Sequence, residues 1–230
     1  MKCPDPILLG LTGSRAYGLD HPGSDYDWRG IFVKPTDQIL SLSRFQGTDT
    51  VEYAEDEANS FVLHEVGKFI HLALAGNPTI LEQLFLEEYR ALTRDGQLLV
   101  DIRDCFLSRR VRDSYGGYAV QQVQRLRRRE REGYEGFGPA LKKRRAKHAM
   151  HCFRLLTQGY QLLTLGRLEV RLPDPDFYRA IGDLSTEELN ELFEWRLNEL
   201  DAAVADSPLP PEPDFDTANE ILLTIRRSHL

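Results

Sequence analysis

The segment Gly13-Ser14-Arg15-Ala16-Tyr17-Gly18-Leu19, with Ser24-Asp25-Tyr26-Asp27-Trp28-Arg29-Gly30 close behind, constrains this chain more than any other. It sets a Gly-Ser turn straight after the apolar run Ile7-Leu8-Leu9-Gly10-Leu11, and two carboxylates one residue apart ahead of a second run, Ile31-Phe32-Val33. Short apolar runs bounded by turn residues read as strands. Side chains two apart on a strand share a face, so Asp25 and Asp27 are expected to converge on one small volume. Carboxylates that close stay ionised with a cation between them. Backbone N–H groups at a Gly-Ser turn opening a helix suit a phosphate. Together the two halves read as a metal and triphosphate site. Taken singly, an Asp-x-Asp is equally a solvated turn, and a Gly-Ser-x-x-x-Gly a plain loop. Arg15 and Arg29 fit simple counter-charges, and Tyr17 and Trp28 fit either base stacking or core packing. The joint spacing, with ten residues between Ser14 and Asp25, favours the site.

A chain of 230 residues can bury one good core or two modest ones. It has no apolar run long enough to span a membrane. Met1-Lys2-Cys3-Pro4-Asp5-Pro6 leads straight into the first strand, which leaves no room for a signal peptide. The three cysteines, Cys3, Cys105 and Cys152, are odd in number and far apart. That argues against a disulfide framework and a cysteine zinc site, and for a reducing cytoplasm. His148 and His151 have a spacing that can hold a metal, but no third ligand accompanies them.

The net charge of −7 hides an asymmetry. Residues 103–154 hold 15 Lys and Arg against 5 Asp and Glu, leaving 14 basic and 31 acidic residues elsewhere. Such a split suggests a polyanion-binding face, the alternative being a solvated helix face over Arg125, Arg127, Arg128, Arg129 and Arg131. Lys142-Lys143-Arg144-Arg145 and Lys147 tip the reading toward nucleic acid or triphosphate.

The pattern predicts strands over 7–12, 25–33, 50–53 and 60–63, and a short helix from Ser14. A helix follows over 65–75 with Gly76 as its stop, and another begins at Asn77-Pro78. From Tyr89 onward the reading is helical. A break falls over Gly133–Gly138, and a long helix runs from Pro139 to Leu165 with Gly166 as stop. Along it Ala149, Phe153, Leu156, Tyr160 and Leu163 form a core stripe. Lys143, Lys147, His151, Arg154 and Gln158 form a second, polar one. Ser185-Thr186-Glu187-Glu188 is a capping box, residues 207–213 form an extended proline strap that reads as a structural tie, and a last helix carries Ala218, Ile221, Leu222 and Ile225 on one face. The expected architecture is α+β: a small mixed sheet with flanking helices over residues 1–100, then a helical domain with a basic face over 101–230.

The Gly-Ser and Asp-x-Asp pairing resembles the nucleotidyltransferase signature of the DNA polymerase beta superfamily. The resemblance extends to its RNA-repair-pathway DNA polymerase beta family through four blocks in order. These are Gly13–Gly18 with Ser24–Gly30, His64-Glu65-Val66-Gly67-Lys68-Phe69, Gly76-Asn77-Pro78-Thr79-Ile80-Leu81-Glu82, and Lys147-His148-Ala149-Met150-His151-Cys152-Phe153-Arg154-Leu155. It implies a nucleotidyltransferase sheet and transfer of a nucleoside monophosphate from an NTP to a nucleic-acid end, RNA foremost, through residues 103–154. Asp25 and Asp27 would be catalytic and hold Mg²⁺ or Mn²⁺. Gly13, Ser14 and Arg15 would bind the nucleotide, with Lys147 and His151 gripping the triphosphate or the acceptor. The superfamily adds a third carboxylate on a neighbouring strand, and the order of motifs puts Ser60 there, with Glu57 a substitute if the chain bulges. Members of the superfamily usually carry a helix before the first strand, which six residues cannot make, so the helical half is expected to cover that side. Two other functions stand beside transfer to RNA: a non-catalytic nucleotide- or RNA-binding protein, and a transferase modifying a protein or small-molecule hydroxyl.

Overall fold

The computed structural model describes residues 4–42, 48–131 and 139–230. The expected break at Gly133–Gly138 lies outside them. Two compact units emerge: residues 1–106 with 213–230, and residues 107–212.

The first unit is built on a five-stranded mixed sheet. Its strands are β1 (Pro6–Thr12), β2 (Tyr26–Phe32), β3 (Thr50–Ala54), β4 (Asn59–Glu65) and β5 (Tyr89–Leu92), in the order β3-β4-β2-β1-β5. The β2/β4 pair is parallel and the others are antiparallel. β1 lies between two strands, and Ile7, Leu8 and Leu9 are all buried, which accounts for its unbroken apolar run. Around the sheet lie α1 (Gly13–Tyr17), α2 (Thr36–Leu40), α3 (Val66–Leu74), α4 (Pro78–Leu81) and α5 (Arg94–Asp101). Glu65 caps α3, and Asn77 caps α4 with Pro78 in its first turn, each cap contributing about 1 kcal/mol.

Across the β2-β4-β3 strands, Trp28, Phe61 and Tyr53 occupy one register row. Their rings stack, Trp28–Phe61 at 6.2 Å and Tyr53–Phe61 at 4.6 Å between centroids. Leu9, Phe32 and Leu63 complete this apolar face. The helical reading from Tyr89 onward is corrected by β5. This four-residue edge strand alternates too briefly to show a period, and it is defined by pairing with β1 some eighty residues earlier (Leu8 with Leu92, Leu9 with Ala91).

The second unit is helical: α6 (Val111–Arg131), α7 (Pro139–Leu165), α8 (Pro175–Ile181) and α9 (Thr186–Ala202). Ala149, Phe153, Leu156 and Leu163 are buried along α7, as the stripe implied, and the Ser185 capping box is formed. The proline strap is held from within its own unit. Arg109 donates from Nε to the Leu209 carbonyl (2.9 Å) and from a terminal nitrogen to that of Ser207 (3.1 Å). Cys105 and Cys152 are free thiols, both pushed up to about 12, chiefly by burial. Among the described residues no helix is long and apolar enough to cross a membrane.

The final helix, α10 (Phe215–Ser228), belongs to the sheet unit and packs on α3 and α5. Its Arg226 pairs with Glu65 at 2.7 Å, both side chains nearly buried (14% and 6% exposed). The other Glu65 oxygen accepts from the Gly67 N–H (2.7 Å). Removing the arginine would strand a buried carboxylate, a change worth about 3 kcal/mol or more. Arg226→Met is therefore expected to lower the urea midpoint of the sheet unit by that measure. Trp28 fluorescence in a Trp195→Phe background would follow it, and an unchanged midpoint would show that the pair does not hold α10 in place.

Candidate functional site

Three neighbouring strands bring Thr12, Asp27 and Ser60 into one row, Asp27 pairing with Thr12 on one side and Ser60 on the other. The Thr12 hydroxyl donates to the Asp27 carbonyl (2.9 Å), and the Ser60 hydroxyl donates to Asp27 Oδ1 (3.1 Å). Straight after Thr12 the chain turns at Gly13, whose φ of +72° is a left-handed conformation open to glycine at little cost. A Cβ at Gly13 would collide with Asp27 Oδ2. One carboxylate oxygen is thus engaged by Ser60, while the other lies against the backbone of the Gly-Ser turn. The structure joins the two halves of the motif at this point.

Asp25 is exposed and stands one residue ahead of β2. Its carbonyl and that of Ser24 accept from Arg15 (3.3 and 2.7 Å). Arg15 also pairs with Asp20 (3.5 Å) and lies over the Tyr26 ring (3.8 Å). It therefore pins the loop that presents Asp25 against α1. Tyr17 is core rather than a stacking surface: it is buried, and its hydroxyl donates to the Glu82 carboxylate (2.9 and 2.8 Å to the two oxygens). Glu82 is 1% exposed. This buried tie joins the Gly-Ser helix to the end of the Asn77–Glu82 block, and its signal in the sequence is a carboxylate closing an apolar run. Trp28 is likewise packed, with its Nε1 donating to Asn59 (3.1 Å).

Ser60 occupies the register position opposite Asp27 where a third acid was expected. The Asp56–Asn59 turn is closed by Asp56 Oδ1, which accepts the N–H groups of Ala58 and Asn59 (both 2.8 Å), and Glu57 is exposed on it. Among the described residues no group of three or more His, Cys, Asp or Glu side chains is placed to hold a metal ion. Two carboxylates, Asp25 and Asp27, remain available to a hard cation. Magnesium is commonly held in this way, by one or two carboxylates with water and substrate phosphates completing its shell.

Lys147 and His151 belong to the second unit, on α7. Lys147 is exposed. His151 is held well below the usual imidazole range, to about 4, by burial first and then by Arg154, His148 and Lys147. Its Nδ1 accepts from Arg154 (3.2 Å), so at neutral pH it offers a neutral ring and no positive charge. Arg154 is buried and donates to Gln158 (2.7 Å), which in turn donates to the carbonyls of Glu169 and Val170 (both 3.3 Å). From Lys147 onward the polar stripe thus passes from exposed into the core. Other arginines of the basic segment are also engaged within the unit. Arg110 pairs with Glu212 (2.6 Å), Arg112 with Asp201 (2.6 Å), Arg127 with Asn190 (2.8 Å), and Arg145 with the Leu184 carbonyl (2.9 Å).

Two outcomes follow. Gly13→Ala and Gly23→Ala both force alanine into a positive φ (+72° and +93°), at about 1–2 kcal/mol, but nothing lies within 4 Å of a Cβ at Gly23. Gly13→Ala should lose more stability than Gly23→Ala in denaturant titrations, since its Cβ also meets Asp27, and it alone should lose nucleotide affinity; equal affinity in the two would separate the turn from the site. For His151, the folded value of about 4 lies below the unfolded value of about 6.5. The unfolded chain therefore binds the proton first as pH falls. Stability present above about pH 6.5 should fall toward pH 4, with a slope of at most about 1.4 kcal/mol per pH unit. His151→Phe should flatten that part of the stability profile, and an unchanged slope would show that His151 protonates freely in the fold.

A family model described as the RNA repair pathway DNA polymerase beta family matches residues 6–207. No curated protein matches the chain. Among solved structures, a nucleotidyltransferase-like protein from Exiguobacterium sibiricum 255-15 is similar at 15% identity, over 97% of this chain and 73% of that one, with a TM-score of 0.28. A superposition that loose has no bearing on the site. The family match spans both units and contains Gly13, Asp25, Asp27 and Ser60, and by it the chain belongs to the RNA repair pathway DNA polymerase beta family and is a nucleotidyltransferase.

Proposed function

We propose that this protein moves a nucleoside monophosphate from an NTP to the end of a nucleic acid, RNA in particular, with Mg²⁺ or Mn²⁺. The observation that carries the reading is the meeting of Asp27 and the Gly13 turn. A carboxylate set against a phosphate-type turn places a cation site beside a triphosphate site. Asp25 and Asp27 would hold the cation, which when bound supplies charge neutralisation and a lowered pKa for the acceptor hydroxyl. Gly13 and Ser14 offer main-chain N–H groups to the donor phosphates. Arg15 fixes the loop between the two. Ser60 keeps Asp27 oriented by its hydrogen bond, and the Tyr17–Glu82 tie fixes α1 from beneath. Lys147, exposed on α7, would offer a cation to phosphate, and His151 a neutral hydrogen-bonding group. The free thiols Cys105 and Cys152 suit a reducing cytoplasm.

A second reading, nucleotide binding without turnover, is favoured by one observation, the hydroxyl of Ser60 in the row where a third acid would stand. One experiment separates the two. Each α-labelled NTP is incubated with short RNAs and Mg²⁺ or Mn²⁺, beside Asp25→Asn and Asp27→Asn. Transfer is expected in the native chain, with a loss of about a hundredfold or more in either variant and complete loss on chelation. Nucleotide binding with no transfer under either metal would establish the non-catalytic reading. Transfer to a protein or small hydroxylated molecule in place of RNA would move the acceptor class.

A further inference from the structure

Strand parity puts a second feature on the same sheet face as Asp27. Along β2 that face carries Asp27, Arg29 and Ile31. Along β4 it carries Ser60, Val62 and His64, and along β3 Thr50 and Glu52. Arg29 lies two residues beyond Asp27, about 7 Å along the strand. His64 lies one step further, and Lys68 rises beside it from the first turns of α3.

Three of these groups, Lys68, Thr50 and His64, are joined by hydrogen bonds. Lys68 Nζ donates to Thr50 Oγ1 (2.6 Å), and Thr50 Oγ1 lies 3.0 Å from His64 Nδ1. A hydroxyl that accepts from an ammonium has its own proton left for the imidazole. Where that proton goes to His64 Nδ1, Nε2 carries the ring proton as a donor. Burial, then Lys68 and Arg29, hold His64 below the usual imidazole range, with Glu52 opposing them. Among the described residues neither Arg29 nor Lys68 has a carboxylate within ion-pair distance, and Glu52 acts on this cluster only from further off. Arg29 and His64 are partly exposed and Lys68 is exposed. Two cations and an N–H donor with no carboxylate in ion-pair distance, accessible to solvent beside the buried Ile31, point to an anion from outside.

We propose that Arg29, His64 and Lys68 form a track for the backbone phosphates of the acceptor strand, running away from Asp27 along the sheet. The direction sets the occupant. β1 and β2 are antiparallel, so the Gly13 turn lies off the Asp27 end of the row while Arg29 and His64 lie back along the strand. Donor phosphates belong to the turn, and an acceptor whose terminal hydroxyl reaches Asp27 must leave along the other side. Alternate strand residues, about 7 Å apart, repeat on the scale of successive phosphates in a single strand. The assignment rests on the nucleic-acid acceptor proposed above.

The test uses the full chain and a fluorescent single-stranded RNA with a free 3′ hydroxyl, its affinity read by anisotropy across a salt series. Affinity for a fluorescent ATP analogue is measured in parallel. Arg29→Gln and Lys68→Met should each weaken RNA binding severalfold and lower the slope of log K against log salt by about 0.7. Affinity for the nucleotide should not change, and Lys68→Arg should keep the slope. Unchanged RNA affinity and slope in both variants would overturn the track. So would a parallel loss of nucleotide affinity, which would give these cations to the donor triphosphate, or an absence of RNA binding by the native chain. A native chain that binds RNA through these residues yet transfers nothing would support the track and overturn only the catalytic reading.

Discussion

The antiparallel pairing of Pro6–Thr12 with Tyr26–Phe32 is the constraint on which the rest of this protein depends. It brings the residue after Thr12, Gly13, against the carboxylate of Asp27, fourteen residues later. Register is decisive. A slip of one residue would flip every side chain of β2, carrying Asp27 to the side of Trp28 and Phe32 and those rings to the side of Asp27 and Arg29. The Trp28–Phe61–Tyr53 row on one face therefore does more than fill a core. By fixing which residues of β2 are buried on one side, it holds Asp27, Arg29 and the groups beside them on the other.

The same ladder explains why the C-terminal helix is folded back into the sheet unit. β4 ends in Glu65, which caps α3 and at the same time needs a cation because it is almost fully buried. Arg226 supplies it from α10, and Thr36 and Lys34 accept or donate around the same helix end: Thr36 Oγ1 donates to the Arg226 carbonyl (2.6 Å), and Arg226 donates to that of Lys34 (3.3 Å). A unit closed by residues at both ends of the chain must bring 213–230 home after residues 107–212 have been made. Its stability is thereby tied to a sequence-distant contact whose desolvated charges tolerate no half-formed state.

What could be read from the sequence divides along the same line between local and distant. The Gly-Ser turn, the alternation of β2 and β4, the Asn77-Pro78 and Ser185 caps and the α7 stripe all declare themselves within a few residues, because a cap or a helical period is a local property. The β5 strand, the Tyr17–Glu82 tie, the Glu65–Arg226 pair and the Arg109 clasp on the proline strap do not, since each is a partnership across tens to hundreds of positions. The basic segment shows the limit in another way. A charge count registers Arg109, Arg110, Arg112, Arg127, Arg145 and Arg154 as a potential polyanion face, yet each is engaged with a carbonyl, amide or carboxylate of its own unit. Composition counts cations but cannot count their partners. Arg29 and Lys68, which among the described residues have no carboxylate within ion-pair distance, come from the part of the chain that composition marks as acidic.

Ser60 gives the site its particular character. A third carboxylate there would add charge to hold a cation before any substrate arrives; a hydroxyl instead donates to Asp27 Oδ1 and takes up one of its lone pairs. On the proposed reading the site holds two acids, Asp25 exposed and Asp27 already hydrogen-bonded. Such a pair attracts a divalent ion weakly in water, where a hard cation gives up its hydration reluctantly. On the proposed reading, phosphate oxygens must then complete the coordination, so cation and nucleotide would bind as a linked pair, each raising the affinity of the other by the same factor. The loop pinned by Arg15 and the turn at Gly13 matter for the same reason. With fewer fixed charges to draw the ligands in, more of the work falls to a backbone already held in the shape that receives them.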